Sequence, residues 1–227
     1  MLAGTPMMAY SMSKAITAAA VLHLVEAGKI GLDTSIAHYL DWQPYGGGIS
    51  VRQALSHTSG IPNPLPLRWV HPVSRHAAFD ERAAVDALLR KHPRLAFAPG
   101  SRYAYSNIAY WLLGGIVERA GGQPFSSYVT QSVLRPLGIE LGEIDYSMRG
   151  PATQAAGYLQ SFSLMNLLKP WLIDRDLIGG SAGRWLRIRD HYPNGPAFGG
   201  LTGSALGFSK CLQDQLRARS QEAARSL

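Results

Sequence analysis

Through much of this chain apolar residues recur every three or four positions, the spacing that gathers them on one face of a helix. The clearest stretches run Ser13 to Ala27, Val51 to Ser56, Asp80 to Lys91, Ile108 to Ala120, Phe125 to Leu134 and Ser204 to Arg217. Each carries a start or stop signal. Asp80 and Ser204 offer oxygens to the first free amides of their helices, Pro124 suits a first helical turn, and Gly28, Gly121 and Gly138 suit reversals or C-caps. Spacing along the stretch from Ile108 buries Trp111, Leu112, Gly115 and Ile116. Arg184-Trp185-Leu186-Arg187-Ile188-Arg189 alternates with period two and predicts a strand with one polar face. Elsewhere between Glu140 and Pro196 no period stands out. Met165, Leu167, Leu168, Trp171 and Leu172 form an apolar cluster there, either core or a wall of a substrate cleft.

With 227 residues, 46% hydrophobic and 16% charged, the chain has the make-up of an ordinary globular protein, enough for one large domain or two small ones. Its 22 basic and 15 acidic residues give a net charge of +7. The basic residues are scattered, with no Lys/Arg run and no zinc or RNA-binding signature, so nucleic acid is not expected as a partner. The single cysteine, Cys211, excludes an intramolecular disulfide and a multi-cysteine metal site, and its apolar helical setting predicts an inert, buried thiol. The seven histidines form no H-E-x-x-H pair, and Gly46-Gly47-Gly48 is not followed by G-K-[ST]. No metal or other cofactor is expected. The first residues lack a charged start and a small-residue cleavage site, and no stretch approaches the ~18–20 apolar residues of a membrane span, so the expectation is a soluble chain without a signal peptide, its compartment unread.

Two short strings carry chemistry. In Ser11-Met12-Ser13-Lys14, residues three apart share a helix face with Cβ atoms about 5–6 Å apart, so the Ser11 hydroxyl and the Lys14 amine can meet, whereas adjacent Ser13 and Lys14 point apart. Near a helix start the Ser11 amide can face an oxyanion formed by attack of its own Oγ. Burial and the positive helix end depress the Lys14 pKa from about 10.4 and leave an amine able to take the Ser11 proton. In Tyr105-Ser106-Asn107, a phenol whose pKa is about 10 can share that transfer only beside a cation, and Lys14 is the candidate. Each string also has a plain reading: a capping serine followed by a solvated lysine, and Asn107 capping a helix from Ile108 against which Tyr105 packs.

The words around these strings resemble the serine β-lactamase and penicillin-binding-protein superfamily, on the branch of class C β-lactamases, D-aminopeptidases and related esterases. Tyr10 to Ala20 is similar to its nucleophile helix, and Leu24 to Asp33 to the turn after it. Ile49-Ser50-Val51-Arg52-Gln53-Ala54-Leu55-Ser56-His57-Thr58-Ser59-Gly60-Ile61 resembles a highly recognisable family segment, and Ala98-Pro99-Gly100-Ser101-Arg102-Tyr103-Ala104-Tyr105-Ser106-Asn107 the approach to its second motif. The resemblance implies an α+β fold of the β-lactamase/transpeptidase type, helix-dominated, with an incomplete antiparallel sheet. It implies Ser11 as acylated nucleophile, Lys14 as its partner, Tyr105 as general base and acid, and Asn107 as a binder of Lys14 or substrate. A small-molecule acyl compound is the implied partner, and family members are often exported. His57 is read as structural, within a loop-shaping segment.

The third family motif, a Lys or His followed one residue later by Gly on a late strand, is not found. Leu201-Thr202-Gly203 offers only its Thr-Gly, and Gly199 to Ala205 resembles an earlier segment that leads into a helix. Only ten residues precede Ser11, where the family places two or more strands. Residues 1–227 are therefore expected to form a single partial β-lactamase-related domain, with the resemblance spanning Ala9 to Leu216. Two other readings stay open. The chain could be a catalytically impaired binding remnant or part of a homo-oligomer that completes the sheet between copies, since losing one oxyanion donor costs about 10²–10³ in rate. Alternatively, Gly179-Gly180-Ser181-Ala182-Gly183 satisfies G-x-S-x-G, the nucleophile elbow of α/β hydrolases, which requires a strand before Ser181, a helix after it and a separated acid and His; Asp190 and His191 are adjacent.

Overall fold

The computed structural model describes residues 1–64, 69–148, 154–161, 163–164 and 174–225. The helices are α1 (Ser13–Glu26), α2 (Ile36–Tyr39), α3 (Val51–Leu55), α4 (Glu81–Lys91), α5 (Asn107–Gly121), α6 (Phe125–Val129), α7 (Pro196–Gly199) and α8 (Ala205–Arg225); all but the four-residue α2 and α7 fall close to where the apolar period puts them. Their starts have identifiable causes. The Ser50 hydroxyl accepts from the Gln53 amide while the Gln53 side chain reaches back to the Ser50 amide, a reciprocal cap that satisfies two free donors. Asp80 accepts from the Ala83 amide, and Ser204 from that of Gly207.

Several boundaries differ from the sequence expectation. The residue capping α5 is Ser106, whose Oγ accepts from the Ala109 amide at 3.1 Å, so Asn107 is already helical and its side chain is free of the capping role. Pro124 is the extended residue before α6 rather than part of its first turn. The left-handed cap of α5 is Gly122, while Gly121 is the last residue of the helix, where a Cβ would stand 2.6 Å from the Tyr128 ring. After α6 the chain continues as a π turn over Thr130–Leu134.

Helix α5 is the axis of the core. Ile108, Trp111, Leu112, Leu113, Ile116 and Val117 are buried, a wider band than one face, because α1, α3, α6 and α7 surround it. Gly115 is only partly covered. At Gly114 a Cβ would lie 2.6 Å from the Ala197 Cβ, so α7 crosses α5 in near backbone contact.

The strands are short and all pair antiparallel among the described residues. β1 (Met7–Met8) and β3 (Ile144–Asp145) flank β8 (Thr202–Gly203); β2 (Val70–Pro72) pairs β7 (His191–Pro193); β6 (Trp185–Ile188) lies between β4 (Gly157–Gln160) and β5 (Ile178–Ala182). β6 is the strand expected from the arginine alternation. The fold is thus α+β and helix-dominated, with small antiparallel sheets. Cys211 is buried, and its pKa is raised by that burial. Among the described residues no helix is long and apolar enough to cross a membrane. The cluster from Met165 to Leu172 lies outside the described residues.

Candidate active site

Ser11 stands in a tight 3₁₀ turn, Tyr10–Met12, immediately before α1, rather than in the helix itself. Tyr10 takes φ 43°, a left-handed conformation that costs a non-glycine residue about 1–3 kcal/mol and persists only where its surroundings impose it. They do. The Ala9 amide donates to the Leu201 carbonyl at 2.9 Å, the Leu201 amide to Ser13 Oγ at 3.1 Å, and Thr17 Oγ1 to the Ala197 carbonyl at 2.7 Å. These bonds, with the β1–β8 pairing, fasten the start of α1 to residues 197–203 and leave Ser11 exposed above the join.

Ser11 Oγ lies 2.7 Å from the Tyr105 hydroxyl and accepts from Lys14 Nζ at 3.3 Å. Lys14 is buried, donates to the Phe198 carbonyl at 2.6 Å, and lies 4.9 Å from the centroid of the Tyr105 ring. Burial lowers its pKa from 10.5 to about 8.

Tyr105 is positioned by the segment His57 to Gly60. The Ala96, Gly100 and Ala104 amides donate to the carbonyls of Gly60, Thr58 and His57, each at 2.8 Å, so two strings distant in sequence run side by side. The His57 ring packs 4.6 Å from Tyr105 and 5.0 Å from Tyr110, and its Nδ1 accepts from the Ser106 amide at 3.2 Å. Burial, reinforced by the Lys14 charge, pushes the His57 pKa down to about 4, so the ring is a neutral acceptor above that pH. It makes no hydrogen bond to Ser11, Lys14 or Tyr105. Its place is beneath the site, as a support.

Asn107 is buried, with its amide donating to Asn63 Oδ1 at 3.0 Å. It lines a cavity of about 200 Å³ together with Tyr10, Ser11, Phe198 and the apolar wall of Trp69, Val70 and Pro193. The site thus brings Ser11, Lys14 and Tyr105 into direct contact, and Asn107 into the adjoining cavity without a bond to Lys14. The Phe198 carbonyl and Asn63 were not foreseen, because a backbone acceptor or a loop amide has no spacing to betray it. His191 was met only as an imperfect partner for Ser181. It is buried, its Nε2 lies 3.1 Å from the Tyr10 hydroxyl, and its Nδ1 donates to the Arg189 carbonyl, so it braces the turn that carries Ser11.

The rival serine fails on geometry. Ser181 lies in exposed β5, and Gly183, at φ 58°, turns the chain into β6 rather than a helix. A G-x-S-x-G elbow needs strand, sharp turn and helix, so Ser181 is not a nucleophile of that type. Among the described residues no group of three or more His, Cys, Asp or Glu could hold a metal ion.

Comparison with known proteins agrees with this fold. A penicillin-binding protein of Bacillus subtilis (strain 168) is 31% identical over 129 residues, which are 57% of this chain and 28% of that protein. The octameric penicillin-binding protein homologue from Pyrococcus abyssi superposes with a TM-score of 0.68 at 26% identity, covering 92% of this chain and 44% of that one. The D-amino acid amidase from Ochrobactrum anthropi SV3, solved with D-phenylalanine, shares the fold with a TM-score of 0.76 at 21% identity, covering 96% of this chain and 59% of that one. The chain therefore spans roughly half the length of these structural relatives and matches less than a third of the curated one. Residues 1–209 match the beta-lactamase family, and the chain belongs to it.

Proposed function

We propose that residues 1–227 form one β-lactamase-related domain that acts as a serine hydrolase through an acyl-enzyme on Ser11, with an ester, a β-lactam or a D-amino-acid peptide as substrate. The observation that carries this reading is the three-way contact of Ser11 Oγ with the Tyr105 hydroxyl and Lys14 Nζ beside the cavity. Ser11 Oγ attacks the substrate carbonyl carbon, and its proton passes to neutral Lys14 Nζ or to a Tyr105 phenolate oxygen. The Ser11 amide faces the developing oxyanion. The same proton is then given to the leaving group as the C–O or C–N bond breaks. Water, deprotonated by the same pair, hydrolyses the ester to Ser11 and releases the acid. With its pKa near 8, about a tenth of Lys14 is the neutral base at pH 7.

Asn107, in the cavity lining, would bind a polar group of the substrate, and the rings of Trp69 and Phe198 would cover its apolar part. The octameric state of the Pyrococcus abyssi homologue supports assembly of this chain with its own copies.

The test is intact-mass measurement after incubation with a fluorescent penicillin, alongside turnover of p-nitrophenyl butyrate. An adduct or turnover lost in Ser11→Ala and kept in Ser181→Ala supports the proposal. Absence of both from the folded wild-type chain overturns it in favour of a non-catalytic binding protein.

A further inference from the structure

A second, larger cavity of about 510 Å³ lies on the other side of α7 from Ser11, within the range of small-molecule sites. Pro196 and Ala197 of α7 wall this cavity, whereas Phe198 and Gly199 wall the one at Ser11. Its chemistry differs from that of its neighbour. Four rings, Tyr39, Trp42, Trp111 and Phe125, line it together with the carboxylates of Glu81 and Glu118.

Glu81 carries the argument. Its Oε1 accepts from the Trp111 indole N–H at 2.7 Å, and no cation pairs with it among the described residues. Burial raises its pKa to about 7, against the pull of the indole bond and with help from the Glu118 charge. Glu118 has one oxygen engaged by the Phe125 amide at 2.9 Å. Asp41 adds a third carboxylate to the wall, while Arg82 and Arg119 supply two guanidiniums. Arg82 is already engaged: it pairs with Asp86 at 3.1 Å and lies 3.8 Å from the centroid of the Trp42 ring, so this wall accepts a cation on an aromatic face. What the space lacks is a positive charge next to Glu81, surrounded by rings.

We propose that this cavity is a binding site for a small organic cation with an apolar body, its charge set against Glu81 and Glu118 and its body against the Trp111, Tyr39 and Phe125 rings. The proposal is independent of the reading of Ser11, because the cavity and its residues are separate from that site.

The probe is benzyltrimethylammonium, whose charge does not titrate, compared by calorimetry with its uncharged isostere neopentylbenzene and with the anion phenylacetate. Saturable binding of the cation, about tenfold or more tighter than of the isostere, is the expected result. It is unchanged in Ser11→Ala and at least about tenfold weaker in Glu81→Gln, which keeps an acceptor for Trp111 but no charge. The Trp111 indole N–H resonance of the wild-type protein moves along the same titration, a readout that survives if Glu81→Gln does not fold. No saturable binding, equal binding of the isostere, preference for phenylacetate, or an unmoved Trp111 signal overturns the proposal.

Discussion

Lys14 Nζ is held closer to the Phe198 carbonyl, at 2.6 Å, than to Ser11 Oγ, at 3.3 Å. The amine that would serve the serine is therefore anchored by α7, a four-residue helix 184 positions away in sequence, and sealed from water by the join between α1 and residues 197–201. Burial is what lowers its pKa, so the join sets the chemistry.

If neutral Lys14 is the working base, kcat/KM for an ester rises with pH and reaches half its plateau near pH 8. Stability follows the same group. Its folded pKa, about 8, lies below the unfolded value of 10.5, so between those values the unfolded chain binds more protons at this group, whose contribution to the unfolding free energy rises with pH, opposed near pH 10 by buried tyrosines such as Tyr10 and Tyr110 whose pKa values burial raises. Lys14→Met removes that rise together with the activity. A pH–rate profile and urea melts from pH 7 to 11 check both, and a rate limb near 6.5 would contradict the assignment.

Gly60 is where the two recognisable strings lock. It sits at φ +77°, and a Cβ would stand 2.1 Å from the Phe97 carbonyl oxygen, a backbone atom that cannot swing aside. Gly60→Ala is expected to cost more than about 2 kcal/mol and to lower Tm by several degrees, by ~5 °C or more, in differential scanning calorimetry. Because the Ala96 and Ala104 bonds on either side hold Tyr105 in place, activity falls as well, even at temperatures where the variant is folded.

What the sequence made legible was what depends on local spacing. The period of apolar residues gave α1, α4 and α5 to within a residue or two, because it follows from the pitch of a helix, and S-x-x-K gave the Ser11–Lys14 contact, which survives although Ser11 lies in the 3₁₀ turn before α1, since residues three apart also share a side there. The plain reading of Asn107 as the cap of α5 does not hold. Ser106 and Asn107 are both good caps, and the choice went to Ser106, whose backbone is held outside the helix by the His57 ring and whose Oγ also reaches the Pro62 carbonyl. The Phe198 anchor, the bracing of Tyr10 by His191 and the large cavity around Glu81 come from pairings across more than half the chain. No local pattern encodes those.

Tyr105 is half-exposed and touches its neighbours through its ring and its hydroxyl. Tyr105→Phe keeps the packing on His57 and removes only the oxygen that stands 2.7 Å from Ser11. A loss of about 10²–10⁴ in kcat is expected if that oxygen carries the proton. Stability should stay within about 0.5 kcal/mol of wild type. Stopped-flow acylation beside a thermal melt separates the two effects, and a variant that acylates at the wild-type rate would remove Tyr105 from the proton path.

His57 makes the complementary case, a histidine packed beneath the candidate site against Tyr105 that should leave no mark on the rate profile. Its pKa of about 4 means that it stays neutral across the working range, so no limb near 6.5 belongs to it. It should instead mark acid stability. The folded value lies below the unfolded value of 6.5, so as pH falls from 6.5 toward 4 the unfolded chain takes up a proton that the folded chain refuses, and stability declines. Asn tolerates the φ of 58° found at this position but does not titrate, so His57→Asn should flatten part of that decline in urea melts between pH 4 and 7. Some slope remains, because burial also lowers the pKa values of His71 and His76. The variant starts from lower stability at pH 7, having lost the ring that Tyr105 and Tyr110 pack against. An acid slope identical to wild type would show that the His57 ring accepts a proton without unfolding, and would reopen it as a participant in the chemistry.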